Sequence, residues 1–310
     1  MSRTRFMQAA RAAALAAAVA CSSLAVAPPA QAAAPMAKTQ APGFYRVMLG
    51  DFEVTALTDG TIAVDVDKML KQPAAKTDAA LAKSFLKSPV ATSVNGFLVN
   101  TGAKLVLIDA GTGGAFDPTA GFLLANLKAA GYTPEQVDDV FITHTHGDHV
   151  GGLAKDGAPV FPNAVVHAGK ADVDAALAKP NNPFAPYAAA KHLQPIEGAV
   201  ELVPGVRAWP TPGHTPGHMS YLVESGGQKM IVTGDLIHVA AVQLDDPSVT
   251  ITFDADAKAA AAERAKVFAQ AAKDGALIAA SHLQFPGIGH LRANGAGWTF
   301  VPLNYVPALK

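Results

Sequence analysis

Thr143-His144-Thr145-His146-Gly147-Asp148-His149-Val150-Gly151-Gly152 is the stretch on which the reading of this chain turns. Three histidines and one aspartate fall within six residues, directly after the apolar run Val140-Phe141-Ile142. A loop leaving a buried strand can turn several side chains towards one point. Neutral imidazole and carboxylate together suit Zn2+ and similar divalent ions. Gly147, Gly151 and Gly152 allow the tight backbone that such crowding needs. The bland alternative is a polar surface loop with incidental histidines. The chain holds only 10 histidines in 310 residues, which argues against chance clustering.

Outward from this loop the pattern alternates between strands and helices. Tyr45–Leu49 and Glu53–Leu57 flank Gly50-Asp51, a hairpin signal, and Val94–Val99 and Lys104–Ile108 flank Asn100-Thr101-Gly102. Residues 67–91 carry a mixed helical pattern. Asp117-Pro118 predicts a helix start with Gly131 at its end, and Thr133 with Gln136 forms a capping box. Further strands are expected over 140–143, 164–167, 206–209, 219–224, 229–233 and 276–280, with helices over 170–178 and 257–273. Hairpins mixed with strand–helix crossovers indicate an α/β chain of layered sheets with helices outside.

Composition narrows the function. Half of the residues are apolar, enough for a sizeable core. The net charge is −1 with no block of lysine or arginine, which argues against nucleic acid as a partner. Arg3, Arg5 and Arg11, the apolar stretch Ala12–Ala20 and the sequence Ala30-Gln31-Ala32 read as an export signal over residues 1–32. The expected location is periplasmic or secreted. Ala18-Val19-Ala20-Cys21 loosely matches a lipoprotein box, a weaker variant of the same reading. Cleavage would remove three arginines, no acid and the single cysteine, excluding thiolate ligands and disulfides from the mature protein. The apolar stretch is too short to span a membrane, and nothing downstream supplies a span. Residues 33–43 read as a flexible lead-in and 44–310 as one catalytic domain.

The H-x-H-x-D-H string formed by His144, His146, Asp148 and His149 resembles the signature of the metallo-β-lactamase superfamily. Pro212-Gly213-His214-Thr215-Pro216-Gly217-His218 is similar to its third motif, with His214 at the ligand position. Thr233-Gly234-Asp235 ends a strand as that family's bridging aspartate does, and Ser281-His282 follows the last core strand, where its final histidine stands. Leu49–Glu53, Asp245–Thr250 and Ser281–His290 look in particular like methyl parathion hydrolase and its lactonase relatives.

The resemblance implies a four-layer αβ/βα sandwich of two mixed sheets, and two divalent ions. His144, His146 and His214 would hold one, Asp148, His149 and His282 the other, and Asp235 would bridge them. Seven nitrogen and oxygen ligands exceed what one tetrahedral zinc can use, and such donors also admit Mn2+ or Co2+. Two such ions would supply hydroxide near neutral pH, giving Asp148 and Asp235 catalytic as well as binding roles. The implied activity is a binuclear hydrolase of lactones or aryl esters, with a phosphotriesterase as runner-up. A non-hydrolytic metal-binding or di-iron redox protein is the alternative from another class. The resemblance also suggests a homodimer.

His238 departs from the pattern. It lies three residues after Asp235, where acyl-homoserine lactonases carry tyrosine and methyl parathion hydrolase carries leucine. A polar group there can donate to oxygen charge on an attacked ester, so His238 is read as catalytic. Phe116, Phe184 and Tyr187 are candidates for an apolar wall, or simply for core packing. His218 divides evenly between packing and support of a ligand, His290 competes weakly with His282, and His167 and His192 read as structural or exposed. Asp109, at the end of Leu105–Ile108, is a candidate support for a ligand histidine or an ordinary turn residue.

Overall fold

A computed structural model describes residues 34–309. The proposed export signal and Cys21 lie outside them. The chain separates into a leading segment through Gln40 and a body from Ala41 onward. Residues 34–42 form no regular element.

The strands of the body, in chain order, are β1 Phe44–Leu49, β2 Phe52–Val64, β3 Val90–Asn100, β4 Leu105–Ile108, β5 Asp139–Phe141, β6 Ala154–Lys155, β7 Ala158–Pro159 and β8 Val165–Gly169. They continue with β9 Leu193–Ile196, β10 Val200–Val203, β11 Val206–Pro210, β12 Met219–Ser225, β13 Gln228–Val232, β14 Leu277–Ala279, β15 Ile288–Asn294 and β16 Gly297–Pro302. One seven-stranded sheet runs β1-β2-β3-β4-β5-β8-β9 and the other β10 through β16 in order. Both are mixed. β4, β5, β8 and β9 run parallel, as do β13 and β14, and the remaining neighbours in these two sheets are antiparallel.

Period-two alternation explains the layers. Val54, Ala56, Phe97, Val99, Val106 and Ile108 face the second sheet, where they meet Val206, Tyr221, Val223, Met230 and Val232. Their neighbours Leu57, Leu98, Leu105 and Leu107 face the opposite way, against Leu123 and Leu127 of helix Leu123–Ala129 and Val173 of helix Lys170–Leu177. On the far face of the second sheet, Ile231 and Ile278 pack on Val267, Phe268 and Ala271 of helix Ala257–Asp274. The order helix, sheet, sheet, helix is the four-layer sandwich expected from the sequence. No helix among the described residues is long and apolar enough to cross a membrane.

The helix expected from Asp117-Pro118 begins only at Leu123. Asp117 spends its carboxylate on the amide and hydroxyl of Thr119, at 3.0 and 2.7 Å. The Thr119 carbonyl then accepts from Thr61 and the Phe122 amide donates to the Asp59 carbonyl. Backbone groups that a first turn would use are thus bonded to the β2 strand. The capping box at Thr133 forms, but caps a single 3-10 turn, Pro134–Gln136. The hairpin of β15 and β16 was not foreseen, although Asn294-Gly295 between apolar runs is a hairpin signal. The short hairpin β6–β7, strands β9 and β10, and helices Ala185–Ala189 and Ala240–Gln243 were likewise unforeseen.

The parallel pairs place the site. β4 and β5 end at Ile108 and Phe141, and β13 and β14 end at Val232 and Ala279. The carboxyl ends of parallel strands, where loops diverge, are the usual place for a ligand crevice in α/β proteins.

Candidate metal centre

Four strand ends and one hairpin loop deliver the histidines and aspartates of the site. Asp109 follows β4, Thr143 to His149 follow β5, Asp235 follows β13, and Ser281 and His282 follow β14. His214 comes from the loop joining β11 to β12. Gly234 has φ +54°, and a Cβ there would lie 2.7 Å from His218 Nε2 and 2.8 Å from the Thr143 side chain, so only glycine lets the chain turn into Asp235.

Every residue expected as a ligand arrives at one place. One ligand atom from each of His144, His146, His214 and Asp235 lies within 4.8 Å of the others, and the same holds for Asp148, His149 and His282. Asp235 stands between the two groups. Its Oδ2 is 3.5 Å from His144 Nε2 and 3.2 Å from His214 Nε2, while its Oδ1 is 3.2 Å from both His149 Nε2 and His282 Nε2. His238 joins them, with Nε2 3.2 Å from Asp235 Oδ2 and its ring stacked on that of His282 at 5.3 Å.

The rings are oriented from behind. His149 Nδ1 donates to Asp109 Oδ2 at 2.8 Å, and the same carboxylate accepts from the Thr143 amide and hydroxyl. His144 Nδ1 is 3.1 Å from the Thr143 hydroxyl, whose proton goes to Asp109, so the imidazole donates. His214 Nδ1 donates to Asp254 Oδ1 at 2.9 Å, and His282 Nδ1 to the Ser93 carbonyl at 2.8 Å. With Nδ1 carrying the proton in each of these four, a neutral ring turns its bare Nε2 inward. His144 Nε2, His149 Nε2 and Asp235 Oδ1 are buried without a hydrogen-bond partner. A buried polar atom left unpaired costs about 1–3 kcal/mol. Divalent ions held in the two groups would satisfy all three, so the donor set fits such ions.

Electrostatics show the same crowding. Burial opposes charge on His149, yet the carboxylates of Asp235, Asp148 and Asp109 lift its pKa well above the ordinary value. Burial likewise opposes charge on His214, but bonds to Asp235 and Asp254 raise it to about 9. His282 is raised against its own burial by Asp235. Burial, with charge on neighbouring histidines, lowers His144 well below the ordinary range and lowers His146 as well. Asp235 is buried, which favours its neutral form, but the surrounding histidines hold it well below the usual carboxylate range. The cluster thus draws positive charge towards one carboxylate. His238, lowered by burial to about 4, stays neutral.

The remaining sequence candidates separate clearly. Asp109, read either as a support for a ligand histidine or as a turn residue, lies behind His149 and accepts from its Nδ1. His218 lies outside the cluster: its Nδ1 pairs with Thr211 at 2.8 Å, its Nε2 accepts the Asp235 amide at 3.1 Å, and burial lowers its pKa to about 3. His167 pairs with Asp139 at 3.0 Å, His192 is half-buried, and His290 is exposed on β15. Asp254 and the Ser93 carbonyl were missed. A backbone acceptor leaves no trace in the sequence. Asp254 is one of two acids just before helix Ala257–Asp274, and only Asp256 is used to cap it, so a spare acid was the available signal.

A cleft of about 410 Å³ opens onto the cluster, reaching His146, Asp148, Asp235, His238 and His282. Its opposite wall is apolar: Ile62, Val64, Val66, Met69, Val239, Ile251 and Phe253, with Phe116 at the rim. Phe184 and Tyr187 do not take part. Both are buried in the core between the first sheet and its helices, where the Tyr187 hydroxyl donates to the Leu153 carbonyl.

Residues 90–282 match the metallo-beta-lactamase superfamily. The solved structure of hydrolase AbOPH in the beta lactamase superfamily is 36% identical, with TM-score 0.81, covering 86% of this chain and 100% of that one. AidC, a dizinc quorum-quenching lactonase in complex with the product N-hexnoyl-L-homoserine, is 29% identical with TM-score 0.76, covering 85% and 98%. An atrochrysone carboxyl ACP thioesterase from Passalora fulva is 34% identical over 146 residues, which is 46% of this chain and 38% of that protein. The chain thus spans well under half the length of that relative.

Proposed function

The chain belongs to the metallo-beta-lactamase superfamily, and from that premise we propose that it is a binuclear hydrolase opening lactones or cleaving aryl esters. The observation that carries the reading is the set of buried, unpartnered nitrogen and oxygen atoms facing one another at the floor of an apolar cleft. His144, His146 and His214 would hold one divalent ion and Asp148, His149 and His282 a second, with Asp235 between. Zn2+ suits these donors, and Mn2+ or Co2+ is admitted by them. Bound there, the ions would polarise a carbonyl and lower the pKa of water.

The chain's own residues supply the rest. The apolar wall formed by Ile62, Val64, Met69 and Phe253 would receive the acyl or aryl part of a substrate and exclude water from the reacting carbonyl. His238 is a neutral imidazole on the same cleft; its Nδ1 has no hydrogen-bond partner, and its Nε2 lies 3.2 Å from Asp235 Oδ2. Its N–H would donate to the oxygen on which charge collects as the carbonyl is attacked. The likeness to AidC, a lactonase, supports a lactone substrate. The thioesterase relative favours a second reading, a thioester, which presents the same acyl carbonyl. Phosphotriesters are the weaker expectation, because an imidazole beside Asp235 would crowd a bulkier tetrahedral centre. We place the protein outside the cytoplasm on the strength of its first 32 residues.

The test is a panel on metal-loaded protein: aliphatic lactone, aryl ester, acyl thioester, phosphotriester and β-lactam. The lactone or aryl ester is expected to give the highest kcat/KM. A phosphotriester ahead of every carbonyl substrate would overturn the reading.

A further inference from the structure

Asp172 has no part in the chemistry proposed above, yet it is 2% exposed and occupies the first turn of helix Lys170–Leu177. Its Oδ1 accepts the Gly217 amide at 2.7 Å, and its Oδ2 accepts the Thr215 hydroxyl at 2.6 Å and the Thr145 amide at 3.3 Å. Thr145 stands between His144 and His146, and Thr215 follows His214. One buried carboxylate therefore joins two loops from different sheets at Thr145 and at Thr215 and Gly217, beside His144, His146 and His214; the first loop runs on into Asp148 and His149. Contact is close: a Cβ on Gly217 would lie 2.7 Å from the Asp172 amide and carboxylate. Two further contacts join the loops: the Met219 amide on the Thr143 carbonyl, back at the strand ends, and His146 Nδ1 against His214 Nε2 at 3.0 Å, between the ligands themselves.

The second ligand group is built differently. His149 is held by Asp109 at the end of β4, and His282 by the Ser93 carbonyl within β3. Neither bond involves the 211–218 loop or the helix that bears Asp172. His149 and His282 are thus held by strands of the first sheet, whereas His146 and His214 stand beside the points at which Asp172 ties two loops together.

We propose that Asp172 is a positioning residue that sets the metal affinity of the His144/His146/His214 group and leaves the Asp148/His149/His282 group unaffected. The inference rests on the two-ion reading. Losing a partner that orients ligands typically weakens metal binding by about 10–100-fold. A carboxylate that acts on two ligand loops at once is expected to reach the lower end of that range.

The experiment measures zinc affinity by chelator competition on the full-length protein in two backgrounds. His282→Ala disables the second group and His214→Ala the first. Asp172→Ala is expected to weaken zinc about tenfold in the His282→Ala background and to leave affinity unchanged in the His214→Ala background. Asp172→Asn, which keeps one acceptor oxygen for Gly217, should give an intermediate loss and serves if the alanine variant does not fold. Equal weakening in both backgrounds, or none in either, overturns the proposal. Fewer than two ions on the unsubstituted protein would overturn the two-ion reading beneath it, a result distinct from the other two.

Discussion

The two walls of the cleft are built on opposite principles. On one side, Asp235 and the histidines are placed by identity: each inward atom needs a particular element, and for His144, His149, His214 and His282 a second group fixes the ring from behind. On the other, Ile62, Val64, Val66, Met69 and Ile251 are placed by shape, and any apolar side chain of similar volume would fill the space. A polar wall fixed by directional bonds should lose function in powers of ten when one atom is removed. An apolar wall should lose it by small factors.

Asp235 gives the hardest test of the polar side. It lies within 3.5 Å of His144, His149, His214, His238 and His282, so its loss leaves several buried imidazoles without their shared anion. Asp235→Ala is expected to lower kcat by at least about 10²–10³-fold, the usual cost of one preorganised electrostatic element, and to lower the ions bound per chain. Far-UV circular dichroism should stay close to the parent. Full turnover with two ions bound would end the bridging assignment.

One step back from the ligands, the expected effect shrinks. Asp109→Ala and Asp254→Ala remove the acceptors behind His149 and His214, which sit 2.8 and 2.9 Å away. Each should weaken metal affinity by about 10–100-fold, read by chelator competition. Affinities equal to the parent would mean that the rings are held by the rest of the fold. The comparison would then rest on ligand identity alone.

How far each wall could be read from the sequence follows from the same contrast. His144, His146, Asp148 and His149 stand within six residues, and His214, Asp235 and His282 each sit at a turn after an apolar strand, so chemistry and local pattern coincide. The supports faded with distance from those motifs. Asp109 was visible because it ends a strand, Asp254 lies 40 residues from its histidine, and Ser93 contributes only a carbonyl. The apolar wall was nearly invisible. Phe116, Phe184 and Tyr187 were equal candidates by residue type, and only the path of the chain brings Phe116 to the rim and buries the others. The strand β2 is a further case. Glu53–Leu57 was legible as a strand, but its continuation to Val64, which supplies Ile62 and Val64 to the cleft, follows from pairing with β3 beyond the irregularity near Gly60. The helix that failed to start at Asp117 belongs here too, since tertiary bonds to β2 outweighed a good local start signal.

His238 lies where the two walls meet, and its effect should be intermediate. The ring is buried, stacks on His282 and is tilted towards Phe253 at 6.3 Å. Its position is set by Gln243, whose Oε1 accepts the His238 and Val239 amides at 2.8 and 3.0 Å. His238→Leu removes the neutral donor and keeps comparable bulk. The ratio of lactonase to phosphotriesterase activity should fall by at least about tenfold, or about 1.4 kcal/mol of differential barrier. A parallel change in both activities, with metal content intact, would remove His238 from the mechanism and assign it to packing.

The smallest effect is expected on the apolar wall. Met69 lines the cleft from helix Val66–Met69, part of a separate apolar cluster with Leu70, Leu81, Val239 and Ile251. The apolar side chains on this side discriminate one acyl chain from another only by the area they cover. Each buried methylene contributes about 0.8 kcal/mol, or roughly fourfold in kcat/KM for a lactone whose chain lies along this wall. Met69→Ala shortens the wall, and should flatten the dependence of kcat/KM on acyl length by about that factor per lost contact. The values for a short-chain lactone should stay near the parent, because the polar wall is untouched. The effect should appear in KM, since apolar contacts to a remote chain are equally strong before and during attack. Suppose instead that Met69→Ala depresses kcat for short and long chains alike by the factors expected of a ligand. The wall would then be ordering the metal-side loops through Val239 and Ile251, and the two sides of the cleft would be one mechanical unit.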